Sequence, residues 1–221
     1  MRRLGAITVV SLLSVAMAGR AAAQVAGIPY YVNPRGGTGF SAAANLGFAE
    51  DGKGMALTGG LGAGPLYITA TAGQFNPDSS GADNVTTFGG TAGMKLFGGP
   101  LIPLTIGVQA GAGYYSTGSG ATESKLVSIP VAVGIGLNLP LFPLKPWVAP
   151  RVQFDRATNP GTTGSTTSST TRMGISAGAD FNLLLGLGFH AAVDYILEKD
   201  NSPSSTTFGV GAHFNFRVPM M

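Results

Sequence analysis

From Ser128 to Pro140 every odd position from 129 to 139 holds a large aliphatic residue, while the even positions hold Ser, Pro, Ala, Gly or Asn. A helix would spread that pattern around its surface. A strand places alternate side chains on opposite faces, so this stretch makes one wholly aliphatic face and one small, weakly polar face. A soluble barrel or sandwich would turn the apolar face inward and show water a face rich in charge, which this strand lacks. The remaining arrangement puts the aliphatic face against lipid and the small face along a lumen.

The same alternation recurs along the chain. It predicts strands over Thr38–Ala49, Met55–Gly64, Leu66–Phe75, Val85–Phe97, Leu104–Tyr115, Ser128–Pro140, Trp147–Arg156, Arg172–Leu183, Phe189–Leu197 and Thr206–Phe216. Each is roughly the 9 to 11 residues that a tilted strand needs to cross a bilayer. The connections alternate as well. Asn76–Asn84, Ser116–Lys125, Thr158–Thr171 and Glu198–Ser205 are long and polar, whereas Gly64-Pro65, Gly98-Gly99-Pro100, Leu141–Pro146 and Leu184–Gly188 are compact. Short turns on one side and longer loops on the other are the asymmetry of a membrane barrel, and aromatics near both strand ends suit two interfacial girdles. The expected fold is all-β, an antiparallel up-and-down transmembrane β-barrel of about ten strands in one domain, residues 38–216. Pro130 and Pro150 each remove a ladder donor inside a strand and should mark a bulge or a strand start, which leaves eight strands as the alternative count. Thr158–Thr171, a Ser/Thr/Gly run, reads as a mobile loop with no core of its own.

Outside the repeat, residues 1–23 read as a signal peptide: Arg2 and Arg3, an apolar run to Ala18, then Ala21-Ala22-Ala23 before Gln24. Residues 24–37 are an irregular leader without period, and 217–221 a short C-terminal extension. Arg2, Arg3 and Arg20 supply three of the 13 basic residues, so the rest of the chain balances its 10 acids and gives no argument for nucleic acid. The absence of cysteine excludes a disulfide framework and a lipid anchor on cysteine.

Parity assigns Lys95, Gln109, Arg151, Gln153, Asp155, Asp180, Asn182, His190, Asp194 and His213 to the lumen face. A hairpin centred near residue 165 would bring Arg151 to Asp180 as an ion pair. Such a network can bias a solute or simply hold a narrow barrel together. Inward glycines such as Gly107, Gly111, Gly134, Gly136, Gly174 and Gly178 would leave room in the lumen or permit strong coiling. Gly174-Ile175-Ser176-Ala177-Gly178 matches a nucleophile-elbow spacing, but that motif needs a strand, a sharp turn and a helix, and here the alternation runs straight through. Two separated histidines and no cysteine do not suggest a metal site, no phosphate-binding glycine motif is present, and no cofactor or catalytic residue is expected.

In architecture residues 38–216 resemble small bacterial outer-membrane β-barrel proteins, the group that includes the OmpA transmembrane domain, OmpX and OmpW. The last strand, Gly209-Val-Gly-Ala-His-Phe-Asn-Phe216, is similar to that group's C-terminal assembly signal, carried here by Gly211, Phe214 and Phe216. Gly209 stands where a polar residue is usual, and Arg217–Met221 follow the final Phe. The resemblance implies the outer membrane of a Gram-negative envelope, contact with its lipid, recognition by the barrel-assembly machinery, and a passive role. That role would be a porin-like narrow pore for small solutes or a structural or surface-interaction module. The alternative is a soluble secreted β-barrel that binds a small apolar ligand.

Overall fold

The computed structural model describes residues 25–79, 82–99, 102–118, 123–138, 142–161, 164–199 and 202–216. Residues 1–24 and 217–221, on which the expected signal peptide and C-terminal extension fall, lie outside the described residues. Ten strands follow in order: β1 (Gly39–Ala49), β2 (Gly52–Ala63), β3 (Leu66–Pro77), β4 (Val85–Phe97), β5 (Leu104–Thr117), β6 (Ser124–Leu137), β7 (Leu144–Gly161), β8 (Gly164–Asn182), β9 (Leu187–Ile196) and β10 (Ser205–Phe216). Each pairs antiparallel with its neighbours in sequence, and β1 closes on β10 through pairs such as Ala44 with Ala212.

The faces fall as the alternation predicts. On β6, Ile129, Val131, Val133, Ile135 and Leu137 point outward, 37–44% exposed, while Ser128, Pro130 and Ala132 are buried within. Phe40, Leu57, Phe88, Met173, Phe189 and Phe208 extend this apolar exterior around the barrel. An exposed apolar surface on every strand is unstable in water and suited to acyl chains. It contradicts the soluble alternative, which requires the aliphatic face of β5 and β6 inside.

Three local features differ from the sequence expectation. Thr158–Thr171 is not a loop: β7 and β8 run through it, with Thr158 paired to Thr167 and Gly161 to Gly164. Its Thr-rich composition suits a solvated two-stranded ribbon as well as a loop. Secondly, Pro130 and Pro150 mark neither a bulge nor a strand end. Pairing lapses at Gly111–Ala112 against Ile129–Pro130, and at Val133–Gly134 against Ala149–Pro150, then resumes in the same register. The register irregularity lies instead between Lys95 and Phe97, where β4 meets β5. Thirdly, because the β7–β8 hairpin closes nearer residue 162 than 165, Arg151 stands opposite Gly174 and not near Asp180.

Candidate functional site: a filled lumen

The residues ahead of β1 enter the barrel. Val25, Ala26, Ile28, Tyr30 and Val32 are all at most 5% exposed. A tight turn, with Ile28 N–H donating to Val25 O at 3.1 Å and Gly27 at φ +69°, sits at the loop end, where Ala26 N–H reaches Thr87 Oγ1 at 3.3 Å. Ala26 packs there with Phe75 and Val85. At mid-depth Tyr30 and Val32 form a core with Ala132, Trp147, Ala149 and Ala192. Gln109 clamps the backbone: its amide donates to Tyr31 O at 2.8 Å, and its carbonyl accepts from Asn33 N–H at 3.3 Å and from the Tyr67 hydroxyl. At the turn end Arg35 pairs with Asp180 at 3.0 Å and donates to Leu137 O and Pro146 O at 3.1 and 3.0 Å. The leader therefore runs the length of the lumen and leaves it at the turn side to begin β1.

The wall is shaped to receive it. A β-carbon on Gly134 would stand 2.7 Å from Val32 Cγ1, one on Gly136 2.8 Å from Pro34 Cγ, and one on Gly209 2.6 Å from Pro29 Cδ. On Gly47 it would overlap the Gly27 carbonyl oxygen outright. Two other inward glycines clear space for neighbours in the wall, Gly174 for the Arg151 guanidinium and Gly178 for the Trp147 ring. The room that the sequence provides is thus occupied by the leader and by large side chains.

All ten parity-assigned residues lie on the inner face, in two groups with two outliers. Toward the loop end Arg151 and Asp194 form a bidentate pair with both side chains at 0% exposure, the second contact being Nη2 to Oδ2 at 2.8 Å. Ser176 donates to Asp194 at 2.5 Å and accepts from Arg151 at 2.7 Å. Gln153 accepts from Arg151 at 3.2 Å and passes its amide hydrogens to Asp155 at 2.9 Å, and Arg172 pairs with Asp155 at 2.8 Å. Two guanidinium groups and two carboxylates balance within this buried chain, and Tyr30 lies beneath Arg151 with its ring centroid 5.3 Å from Cζ. Ser176, the centre of the elbow-like spacing, is fully buried in this network on an uninterrupted strand.

Toward the turn end His190 and His213 approach Nδ1 to Nδ1 at 3.1 Å, with near-parallel rings 16° apart. One Nδ1 must carry a proton and the other offer a lone pair. His190 Nε2 meets Asn45 Oδ1 at 2.7 Å, Asn45 bonds Thr58 at 3.2 Å, and Thr58 bonds Thr71 at 3.0 Å. Asn182 lies 3.4 Å from His213 Nε2, and Tyr31 meets His190 edge-on at 4.7 Å. The outliers are Gln109, on the leader backbone, and Lys95, half-buried at the turn rim beside Gly36. The Arg151–Asp180 pair expected from sequence does not form; Asp194 takes Arg151 and Arg35 takes Asp180. Arg172 and Ser176 share the parity of Asp180 and were legible by that signal, whereas Tyr30, Tyr31 and Arg35 lie in a segment with no period to read.

Beside the leader, the small inward residues of β1–β3 leave a cavity of about 690 Å³. Ser41, Asn45, Thr58, Thr69 and Thr71 line it, it reaches the turn rim at Phe216, and Val25 and Ile28 stand at its loop end. On the last strand Phe214 and Phe216 face outward, 42% and 55% exposed, while a β-carbon on Gly211 would meet the His190 ring.

A closed antiparallel barrel with a lipid-compatible exterior and a packed polar interior is a transmembrane β-barrel of the outer-membrane type. Residues 55–216 match the family described as outer membrane protein beta-barrel domain, and the chain belongs to that family. It is a protein of the bacterial outer membrane. Among solved structures the chain is similar to the N-terminal β-barrel domain of Pseudomonas aeruginosa OprF, at 15% identity and a TM-score of 0.42, over 82% of this chain and 99% of that one. It is also similar to Neisserial surface protein A, at 17% identity and a TM-score of 0.40 over 80% and 94%. A third likeness is to Ail, the attachment invasion locus protein of Yersinia pestis, at 15% identity and a TM-score of 0.34 over 81% and 99%. No curated protein matches the sequence.

Proposed function

We propose that this protein is a non-enzymatic outer-membrane barrel closed by its own leader, serving as a structural or surface-interaction module. The observation that carries this reading is the burial of Val25–Tyr30 and Val32 inside the strand cylinder, seated on wall glycines. A permanently open pore needs a continuous water path, and the leader occupies it from Gly27 at the loop end to Arg35 at the turn end. The β7–β8 ribbon, whose residues 164–169 are exposed, is then the part best placed to meet a partner outside the cell. Removal of residues 1–23 on export and recognition of Gly211, Phe214 and Phe216 by the assembly machinery belong to the same reading. A narrow pore for small solutes is the second reading. The 690 Å³ cavity favours it, because that cavity would join a through-path if the leader shifted.

Planar-bilayer conductance separates the two. The folded wild-type protein carries no steady current, whereas a variant lacking residues 25–35, confirmed as folded by its heat-dependent gel mobility, conducts. Steady wild-type current would establish the pore instead.

A further inference from the structure

On the turn side, the β4–β5, β6–β7 and β8–β9 connections carry exposed apolar side chains and no charge. Ile102 is 39% exposed, Phe142 51%, Leu183 46% and Leu185 90%. Two of these turns repeat one pattern, Pro100-Leu101-Ile102-Pro103-Leu104 and Pro140-Leu141-Phe142-Pro143-Leu144, and no charged residue occurs in 96–108, 134–144 or 181–189. The nearest charges, Lys95, Lys145 and Asp180, belong to the lumen face. Exposed charged residues gather at the opposite rim, with Glu50, Lys53, Lys125 and Lys199.

Leu185 adds an independent observation. It has φ +61°, a left-handed conformation that turns in water normally give to Gly or Asn. A branched aliphatic residue there is strained, and its near-complete exposure to water would be a second cost. Against hydrocarbon the side chain is favoured and offsets the strain. The β2–β3 turn shows the contrast: it closes in two residues, with Gly64 at φ +62° followed by Pro65, the turn chemistry expected in water.

We propose that the three turns joining β4 to β9 are immersed in the phospholipid leaflet on the turn side. The exposed tips of the β4–β5 and β6–β7 turns continue the lipid-facing band through Leu96, Leu137 and Leu144, and the β8–β9 turn continues it through Leu187 while its Leu183 and Leu185 also border the mouth of the lumen cavity, so the apolar height is greater along this arc than at β2–β3. A barrel with unequal apolar height tilts to bury the taller side. The occupant of the surface is the lipid of its own membrane.

The chain has no cysteine, so single nitroxide labels can be placed at L185C, F142C and P65C. With each variant reconstituted in phosphatidylethanolamine and phosphatidylglycerol vesicles, collision with oxygen and with a water-soluble nickel chelate is measured. L185C and F142C show a severalfold higher ratio of oxygen to nickel accessibility than P65C. Equal ratios at all three sites overturn the proposal, as does free nickel access at Leu185 or Phe142. Brominated-lipid quenching of a F142W reporter in a W147F background gives a second readout, expected to be strong; absence of quenching overturns the proposal equally.

Discussion

Arg35 Nη1 lies 3.0 Å from Asp180 Oδ2, so a residue ahead of the first strand is tied to the barrel wall at β8, three strands away from β1. Their side chains are 14% and 30% exposed, which leaves the pair partly screened. Asp180→Asn is therefore expected to cost only about 1 kcal/mol, between a surface and a buried pair. Urea unfolding in detergent micelles measures it. The turn end of the leader should become more accessible to protease in this variant while the barrel stays folded.

The Arg151–Asp194 pair behaves differently because both side chains are fully buried. Removing one partner leaves the other charged in the interior, and Asp194→Asn or Arg151→Met is expected to cost about 3–5 kcal/mol. The double variant R151M/D194L removes both charges and should be less destabilised than either single one. Thermal loss of the compact gel form checks the ranking.

Gly134→Val places carbon where Val32 already sits, whereas Gly59 has open space around its β-carbon position. Overpacking of this kind costs about 1–3 kcal/mol. Gly134→Val should lower the unfolding midpoint and expose the leader to protease, while Gly59→Val leaves both unchanged. Equal effects at the two sites would show that the wall glycines have no part in seating the leader.

Val131→Arg puts a charge on the outward face of β6, where the native side chain is 44% exposed. If that face meets lipid near the midplane, the substitution costs about 2–4 kcal/mol. Folding yield into vesicles of defined lipid reports it. An unchanged yield would contradict the assignment of faces.

The barrel was legible because period-two alternation marks each strand and its orientation together, and both prolines left the register intact. Lumen residues followed from the same parity. Their partners did not, because pairing depends on register, and a hairpin closing near residue 162 instead of 165 moves Arg151 from Asp180 toward Asp194. The leader is irregular locally, as its sequence suggests; its place in the lumen comes from contacts spread over all ten strands, each distant in sequence. The one local trace of it was the excess of inward glycines, which by itself also fits an open lumen.

The most direct test of the filled lumen is a cross-link between Pro34 and Gly134. Their β-carbon positions lie 3.2 Å apart, near the roughly 3.5–4.5 Å span of a disulfide. With V32A removing the methyl group that a β-carbon at 134 would meet, the cysteine-free chain carrying P34C and G134C should form an intramolecular disulfide under mild oxidation in membranes, with neither single cysteine variant doing so. Free thiols in the folded, oxidised double variant would place the leader outside the barrel and contradict the account.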